Sequence, residues 1–531
     1  MPQETIAADP PRTTRRLSVN TAIFAMATSV SRVAGLIREI VAASFFGTSA
    51  AASSFTIASQ IPNLMSNLFA QAALSAAFVP VFTDLLQQGR KREAFKLAST
   101  LFWIILIALG AVTAVGIALS GTIMPLFTGS TFTASDNAIT AVLGQILFPV
   151  VLLLGLTGLL VGILQSYDQF SIPAIAPAVW NLVILVLLVA LRHRFHLSIY
   201  AYAVAWLVAT VVQMGMVAYA LRRIDFRLQL SLDWRDPRVR QVFVLMLPVT
   251  IGLGIVNLDQ LLNSVFGALV STAAPRAIDQ AFRIYMLPQG VFSVAVATVL
   301  FPTLSRQASR RAPSEMRATI GNGIRQILLL LIPAAGVMAA LATPITRLVY
   351  QRGSFGAGST HLVAMALFWF AFSLPFGGVN LLLTRTYFAL QRPWIPTRYA
   401  AMNMVIDIIV SLALYKPLGI SGLVIGTAVA NAVMTGLLYQ RLRVGFNRRL
   451  DDTHTLMITA RVLAASVAMA VVARVLWAGL DSLLGTSLIA QIISVGLALS
   501  VSAAFYAVTV LAMRIPEARQ IETLIKGRLR R

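Results

Sequence analysis

The chain has no cysteine in 531 residues, which excludes disulfides and thiolate metal sites. Histidine is almost as scarce. His193, His196, His361 and His454 are scattered and lie near loops, so no histidine-based metal cluster is expected. Charge is also sparse: 11% of residues are charged, against about 25% in ordinary soluble domains. Acids are the scarcer sign, with 19 Asp and Glu against 42 Lys and Arg and a net charge of +23. There is no P-loop, no nucleophile constellation and no metal-ligand spacing. The chain therefore reads as a non-enzyme that does not burn ATP. Any work it does must draw on an ion gradient, a cargo gradient or the membrane potential, which is worth about 2.3 kcal/mol per charge per 100 mV.

What the chain has instead is apolar length. It is 58% hydrophobic with a mean hydropathy of +0.81, and apolar stretches recur from Val19 to Met513. This pattern predicts an all-α polytopic membrane protein. Fourteen spans are predicted near 19–46, 53–83, 98–119, 138–165, 173–191, 198–221, 241–268, 279–305, 321–349, 361–389, 396–415, 420–440, 456–478 and 487–513. The first two are polar enough for a hydropathy window to miss them. Arg15-Arg16 before the first span resembles a twin-arginine signal. The apolar run that follows carries Arg32 and Arg38 and has no convincing cleavage site, so a short tail and a retained first span are expected.

The basic residues are not a nucleic-acid footprint, because they concentrate in alternate loops. The opposite loops hold only Arg192, Arg194, Arg276, Arg347, Arg352 and Lys416. This bias predicts both termini on the cytoplasmic side and hence an even span count.

The two parts of the chain echo each other at nearly constant separation. AFVPVF with Pro80 matches VLFPTL with Pro302. TIMPLFTGSTF (Ile123, Leu126) matches PITRLVYQRGSF (Ile345, Leu348), and FSIP with Pro173 matches PWIP with Pro396. Duplication follows, with two six-helix bundles in the same orientation and a substrate site between them. The predicted organisation is a cytoplasmic tail at 1–17, a bundle at 18–222, a linker at 223–240, a second bundle at 241–443, two added helices at 444–513 and a basic tail at 514–531.

Three arginines fall inside predicted spans: Arg32, Arg38 and Arg283. An Arg at the centre of a membrane helix costs roughly 2.5–3.5 kcal/mol. Such a residue faces protein or water and suits an anionic ligand, above all phosphate oxygens gripped by a guanidinium. Arg32 and Glu39 share a helical face but are too far apart along the axis to pair. Arg38 points elsewhere, so it either lines a broad cavity or snorkels. Asp279 stands one turn before Arg283 and is placed to pair with it, while Pro288 and Gly290 make the next turn deformable. In span 2, Ser53, Thr56, Gln60, Asn63, Asn67 and Gln71 form one polar stripe that lines a cavity or hydrogen-bonds to neighbouring helices. Asn403 and Asp407 lie one turn apart in span 11. With Asn263 of span 7, whose neighbours include Asn257, Asp259 and Gln260, and Thr427 of span 12, they make a candidate Na⁺ or proton site. A protonated Asp407 bonded across helices explains the same residues. Arg325, Arg385, Arg461 and Arg474 read as structural, interfacial or snorkelling.

The stretches SRVAGLIREIVAASFFG (31–47), IPNLMSNLFAQAALSAAFVPVF (61–82), FSIPAIAPAVWN (170–181) and LPQGVFSVAVATVLFPTLS (287–305) resemble the MurJ (MviN) family of lipid II flippases, within the multidrug/oligosaccharidyl-lipid/polysaccharide exporter superfamily. The resemblance implies essential cavity arginines at Arg32, Arg38 and Arg283, with Glu39 at a usually acidic position. It implies a Na⁺ site of the kind Asn403 and Asp407 suggest. The implied cargo is undecaprenyl-pyrophosphate carrying a glycopeptide, moved from the inner to the outer leaflet of the bacterial cytoplasmic membrane by alternating access. The last two helices are then expected to offer a hydrophobic groove for the lipid tail. Implied partners are membrane lipids and other cell-wall synthesis proteins, not nucleic acid. The chain departs from the family pattern at Ser53, Ser66, Gln71, Phe282 and Met286, where charged residues are frequent. Rival readings are a flippase for another polyprenyl-linked glycan, a multidrug exporter of the same superfamily, or a non-transporting envelope scaffold.

Overall fold

The computed structural model describes residues 30–69, 72–194, 198–447 and 452–519, and these contain helices but no strand. A helix satisfies its own backbone hydrogen bonds, which hydrocarbon cannot do for it. The helices are α1 (30–46), α2 (Ala50–Phe69), α3 (Ala72–Gln87), α4 (Lys91–Ala118), α5 (Ser120–Ile123), α6 (Ala134–Ser166), α7 (Ser171–Arg194), α8 (Ile199–Ala220), α9 (Pro237–Val270), α10 (Ala274–Pro288), α11 (Val294–Ser309), α12 (Pro313–Ala340), α13 (Ala342–Tyr350), α14 (Ala357–Ala389), α15 (Trp394–Leu418), α16 (Ile420–Gly445), α17 (Asp452–Leu484) and α18 (Leu488–Ala512).

Helix occurs in every predicted span. Among the described residues, eleven helices are long and apolar enough to cross a membrane. Spans 1, 2 and 7 are not among these eleven, and each includes residues or side chains outside the described part of the structure. Part of span 1 and the junction of α2 with α3 lie outside the described residues, as do both predicted tails apart from residues 514–519. In span 8, α10 passes into α11 through a π-helical turn, Gln289–Ser293, just after Pro288. Such turns are a recognised cause of bending.

The chain separates into two compact units. One comprises the described parts of 1–46, 54–128 and 133–261, the other 47–53, 129–132 and 262–531. The division falls inside α9, not in the 223–240 segment. That segment is strapped to α4 within the first unit. Trp103 Nε1 donates to the Gln229 carbonyl at 2.8 Å, Gln229 N–H donates to Ser99 Oγ at 3.0 Å, and Lys96 pairs with Asp233 at 2.8 Å. Beneath it, Phe78, Phe82, Phe95, Leu101, Ile163 and Val242 share one core.

The duplication is visible in each unit taken separately. The third span of each repeat is followed by a short helix, α5 in the first and α13 in the second. The fourth span is the central one in both: 67% of the most apolar window of α6 is buried and 56% of that of α14, more than in any other candidate span. In the second unit α14 touches α10, α11, α12, α13, α15 and α16.

The two added helices join the second unit by covering α12. Ile458, Val462, Ala465 and Met469 of α17 share a core with Leu329, Ile332 and Val337 of α12. Ion pairs reinforce this contact: Arg325 of α12 binds Glu517 beyond α18, and Arg347 of α13 binds Asp481 of α17. Glu517 is buried, so losing Arg325 strands a charge, at a cost of about 3–5 kcal/mol. Arg325→Met is therefore expected to lower the melting temperature of the purified protein sharply. The double variant Arg325→Met/Glu517→Leu should recover most of the loss. Equal melting of the single and double variants would show that the pair does not hold α17 and α18 in place.

Candidate substrate and ion sites

In the first unit, α1 is docked on α7 through Asn181, whose Nδ2 donates to the Ser31 carbonyl at 3.3 Å and to the Pro177 carbonyl at 2.9 Å. This leaves the two arginines of α1 in opposite environments. Arg32 is exposed and has no ion-pair partner among the described residues. Arg38 is 5% exposed. Its Nη2 donates to Glu39 Oε1 at 2.6 Å. Its guanidinium carbon lies 4.8 Å from the Trp180 ring and 5.3 Å from the Trp206 ring. The expectation that Arg38 lines a broad cavity or snorkels is thus corrected: two tryptophan faces and a buried carboxylate hold it inside the unit, where a desolvated cation–π contact reaches about 2 kcal/mol. Sequence spacing placed Arg38 and Glu39 next to each other but could not show that residues of α7 and α8 would close over them.

The span 2 stripe is not uniform. Ser53, Ser54, Thr56 and Ser59 are buried. Ser59 Oγ donates to the Thr56 carbonyl at 2.9 Å, and Ser53 Oγ accepts from the Arg276 backbone N–H at 3.3 Å. This end of the stripe is internal hydrogen bonding. Gln60 and Asn63 are half-buried. The side chains of Ser66, Asn67 and Asn257, and all of Gln71, lie outside the described part of the structure.

In the second unit, Asp279 sits between two cations. It accepts from Arg283 Nε at 3.0 Å and from Arg276 Nη1 at 3.3 Å. The predicted Asp279–Arg283 pair therefore forms. Arg276, read from sequence as an outer-loop residue, is instead buried in the first turns of α10. The Arg283 side chain is the more open, at 35% against 4% for Arg276. Phe282 packs with Tyr285 and Phe370, at centroid distances of 5.6 and 5.8 Å. An aromatic cluster therefore occupies the place where relatives were expected to carry an acid, while Met286 is exposed.

Asp407 of α15 is buried and ringed by polar atoms. Thr427 Oγ1 lies 3.4 Å from its Oδ1, Ser411 Oγ 3.3 Å from its Oδ1, and Asn263 Nδ2 3.4 Å from its Oδ2. The structure thus brings three of the four candidate residues together and adds Ser411. Asn403 goes elsewhere: its amide reaches Asn431 Oδ1 at 3.5 Å, in a network with Asn380, Ser373 and Thr435. Gly426 was also missed. A Cβ there would fall 2.3 Å from Ser411 Oγ and 2.8 Å from Asp407 Oδ1, so only glycine lets α16 approach the carboxylate. Two hydroxyls and the Asn263 amide nitrogen thus face one buried carboxylate. No cluster of three or more His, Cys, Asp or Glu with metal-binding geometry occurs among the described residues.

An apolar groove of about 680 Å³ runs between α12, α14 and α17, lined by Leu328, Ile332, Phe372, Phe376, Leu463 and Val467 among others, with Arg474 at one end.

The burial difference predicts that Arg32→Ala and Arg38→Ala part company in stability. Arg32→Ala should melt within about 0.5 kcal/mol of the parent, as exposed substitutions do. Arg38→Ala leaves Glu39 buried without its arginine and should cost about 3–5 kcal/mol, read by thermal unfolding of purified protein. Indistinguishable melting would mean that the Arg38 cluster does not support the first unit.

Comparison with known proteins agrees with this architecture. The family model described as "Lipid II flippase MurJ" matches residues 42–483. A probable lipid II flippase MurJ of Rhizobium meliloti (strain 1021) is 29% identical over 459 residues, covering 84% of this chain and 85% of that protein. One from Rhizobium tropici is 31% identical over 433 residues, covering 78% and 79%. A solved lipid II flippase MurJ in an inward closed conformation superposes with a TM-score of 0.78 at 19% identity, covering 93% of this chain and 100% of the other. An inward-facing MATE multidrug transporter of the MOP superfamily gives 0.64 at 14% identity, covering 80% and 96%. At those identities the structures speak to fold alone, and the family model supplies the rest: this chain belongs to the lipid II flippase MurJ family.

Proposed function

We propose that the chain is a lipid II flippase of the bacterial cytoplasmic membrane, moving an undecaprenyl-pyrophosphate-linked glycopeptide from the inner to the outer leaflet for peptidoglycan synthesis. The observation that carries this reading lies within the second unit. It holds both a partly open guanidinium, Arg283, and a long apolar groove. Those are the two surfaces an amphiphile with an anionic head requires. Arg32 supplies a second exposed cation from the first unit. A cavity selecting organic cations would instead need uncompensated carboxylates, and Asp279 is shared between two arginines.

In this function Arg32 and Arg283 bind pyrophosphate oxygens, Gln60, Asn63 and Asn67 meet sugar or peptide, and the groove takes the polyprenyl chain. Arg38 and Glu39 contribute by fixing α1. Both termini face the cytoplasm, as the distribution of basic loops requires. Asp407 with Asn263, Thr427 and Ser411 holds Na⁺ or a proton. That ligand biases the second unit between conformations, because it shifts states only through differential affinity. Asn403 belongs instead to the amide network around Asn431, one turn away along α15 and α16.

Complementation of a MurJ-depleted bacterium tests the reading. The parent chain should restore growth, and Arg32→Ala and Arg283→Ala should abolish rescue at unchanged membrane levels. Normal rescue by both variants, or none by the parent, would refute it. For the ion site, Asp407→Asn should remove the dependence of transport on Na⁺ or on pH. Unchanged rate and unchanged ion dependence would take Asp407 out of the mechanism.

A further inference from the structure

The apolar groove carries one charge. Its walls are aliphatic and aromatic, and its two hydroxyl groups are spent on their own helix. Thr459 Oγ1 donates to the Thr455 carbonyl at 2.7 Å, and Ser466 Oγ donates to the Val462 carbonyl at 2.7 Å. Arg474 is the exception. It is exposed, lies 4.7 Å above the ring of Trp477, and has no carboxylate partner among the described residues. The acid nearest in sequence, Asp481, is already paired with Arg347. This end of the groove therefore bears an uncompensated positive charge beside an amphipathic indole, the combination found where a membrane helix meets headgroups.

The groove's length narrows the choice of occupant. Along α17 its lining runs from Thr459 to Val475, about 24 Å at 1.5 Å per residue. The hydrocarbon core is about 30 Å thick, so one leaflet offers about 15 Å. An acyl chain of an ordinary phospholipid stops near the midplane and would leave the far part of the groove empty. A polyisoprenoid chain is long enough to occupy all of it. We propose that Arg474, presented by Trp477, is a phosphate anchor for a polyprenyl phosphate whose chain fills this groove. The site deepens the flippase reading and rests on it for the choice of lipid. It gives the tail groove a headgroup contact distinct from Arg32 and Arg283. With the cytoplasmic termini proposed above, Arg474 lies toward the outer leaflet, so the anchor serves lipid that has crossed.

The test is binding, independent of transport. The full chain carrying Arg283→Ala, which removes the main competing cation of this unit, is placed in phosphatidylcholine nanodiscs and titrated with undecaprenyl phosphate by native mass spectrometry. Adding Arg474→Gln should weaken undecaprenyl phosphate about tenfold, the loss of one charge-assisted contact. It should leave uncharged undecaprenol and the melting temperature unchanged. Leu463→Trp, which fills the groove, should weaken both lipids. Equal undecaprenyl phosphate binding with and without Arg474 would overturn the anchor. So would displacement of undecaprenyl phosphate by equimolar phosphatidylglycerol, which would make this a resident phospholipid site. Growth rescue by the parent chain without an Arg474 effect sinks the anchor alone. An Arg474 effect without rescue supports the anchor and sinks the flippase reading instead.

Discussion

A charge carried into hydrocarbon must find a partner there, and the rest of this structure follows from how each arginine meets that demand. Arg38 is met by Glu39 and two tryptophan faces, Arg276 by Asp279, Arg325 by Glu517 and Arg347 by Asp481. These cations belong to the fold. Arg283 shares its carboxylate with Arg276 and stays partly open, while Arg32 and Arg474 have none among the described residues. A membrane protein does not retain such residues for stability. How open a guanidinium stays, rather than its mere presence in a span, marks which of these arginines a ligand can reach.

The duplicated architecture makes the asymmetry between the units informative. Each repeat has a buried fourth span and a short helix after its third. Only the second adds α17 and α18, whose contact with α12 builds the groove, and only the second has an acid of the Asp407 kind in its fifth span. The first unit fixes one arginine and presents another. The second combines a partly open guanidinium, an apolar groove and a buried carboxylate ringed by polar groups.

Much of this was legible in the chain because its signals are local. Apolar runs placed the helices, since a hydrophobic stretch in lipid has few alternatives to helix. Pro288 and Gly290 marked the place of the π turn, and the i,i+4 spacing of Asp279 and Arg283 forecast their pair. What was not legible depended on residues far away in sequence. Nothing near Arg38 announces Trp180 and Trp206, and nothing near Asn403 announces Asn431. Arg276 looked like a loop charge because its hydropathy neighbourhood is weak. Gly426 was one small residue among many until the carboxylate opposite it was seen. The span 2 stripe misled for a related reason: helical periodicity identifies a polar face but not whether protein or water covers it.

Carriage of anionic lipid, as proposed above, depends on guanidinium groups that stay open to a ligand, Arg283 first among them. The most direct test is reconstitution of purified protein into proteoliposomes with fluorescent lipid II, following its arrival in the far leaflet by chemical quenching. The parent chain should move the lipid. Arg283→Ala should fold and melt like the parent yet leave the lipid in its original leaflet. Transport by Arg283→Ala at the parental rate would contradict the claim.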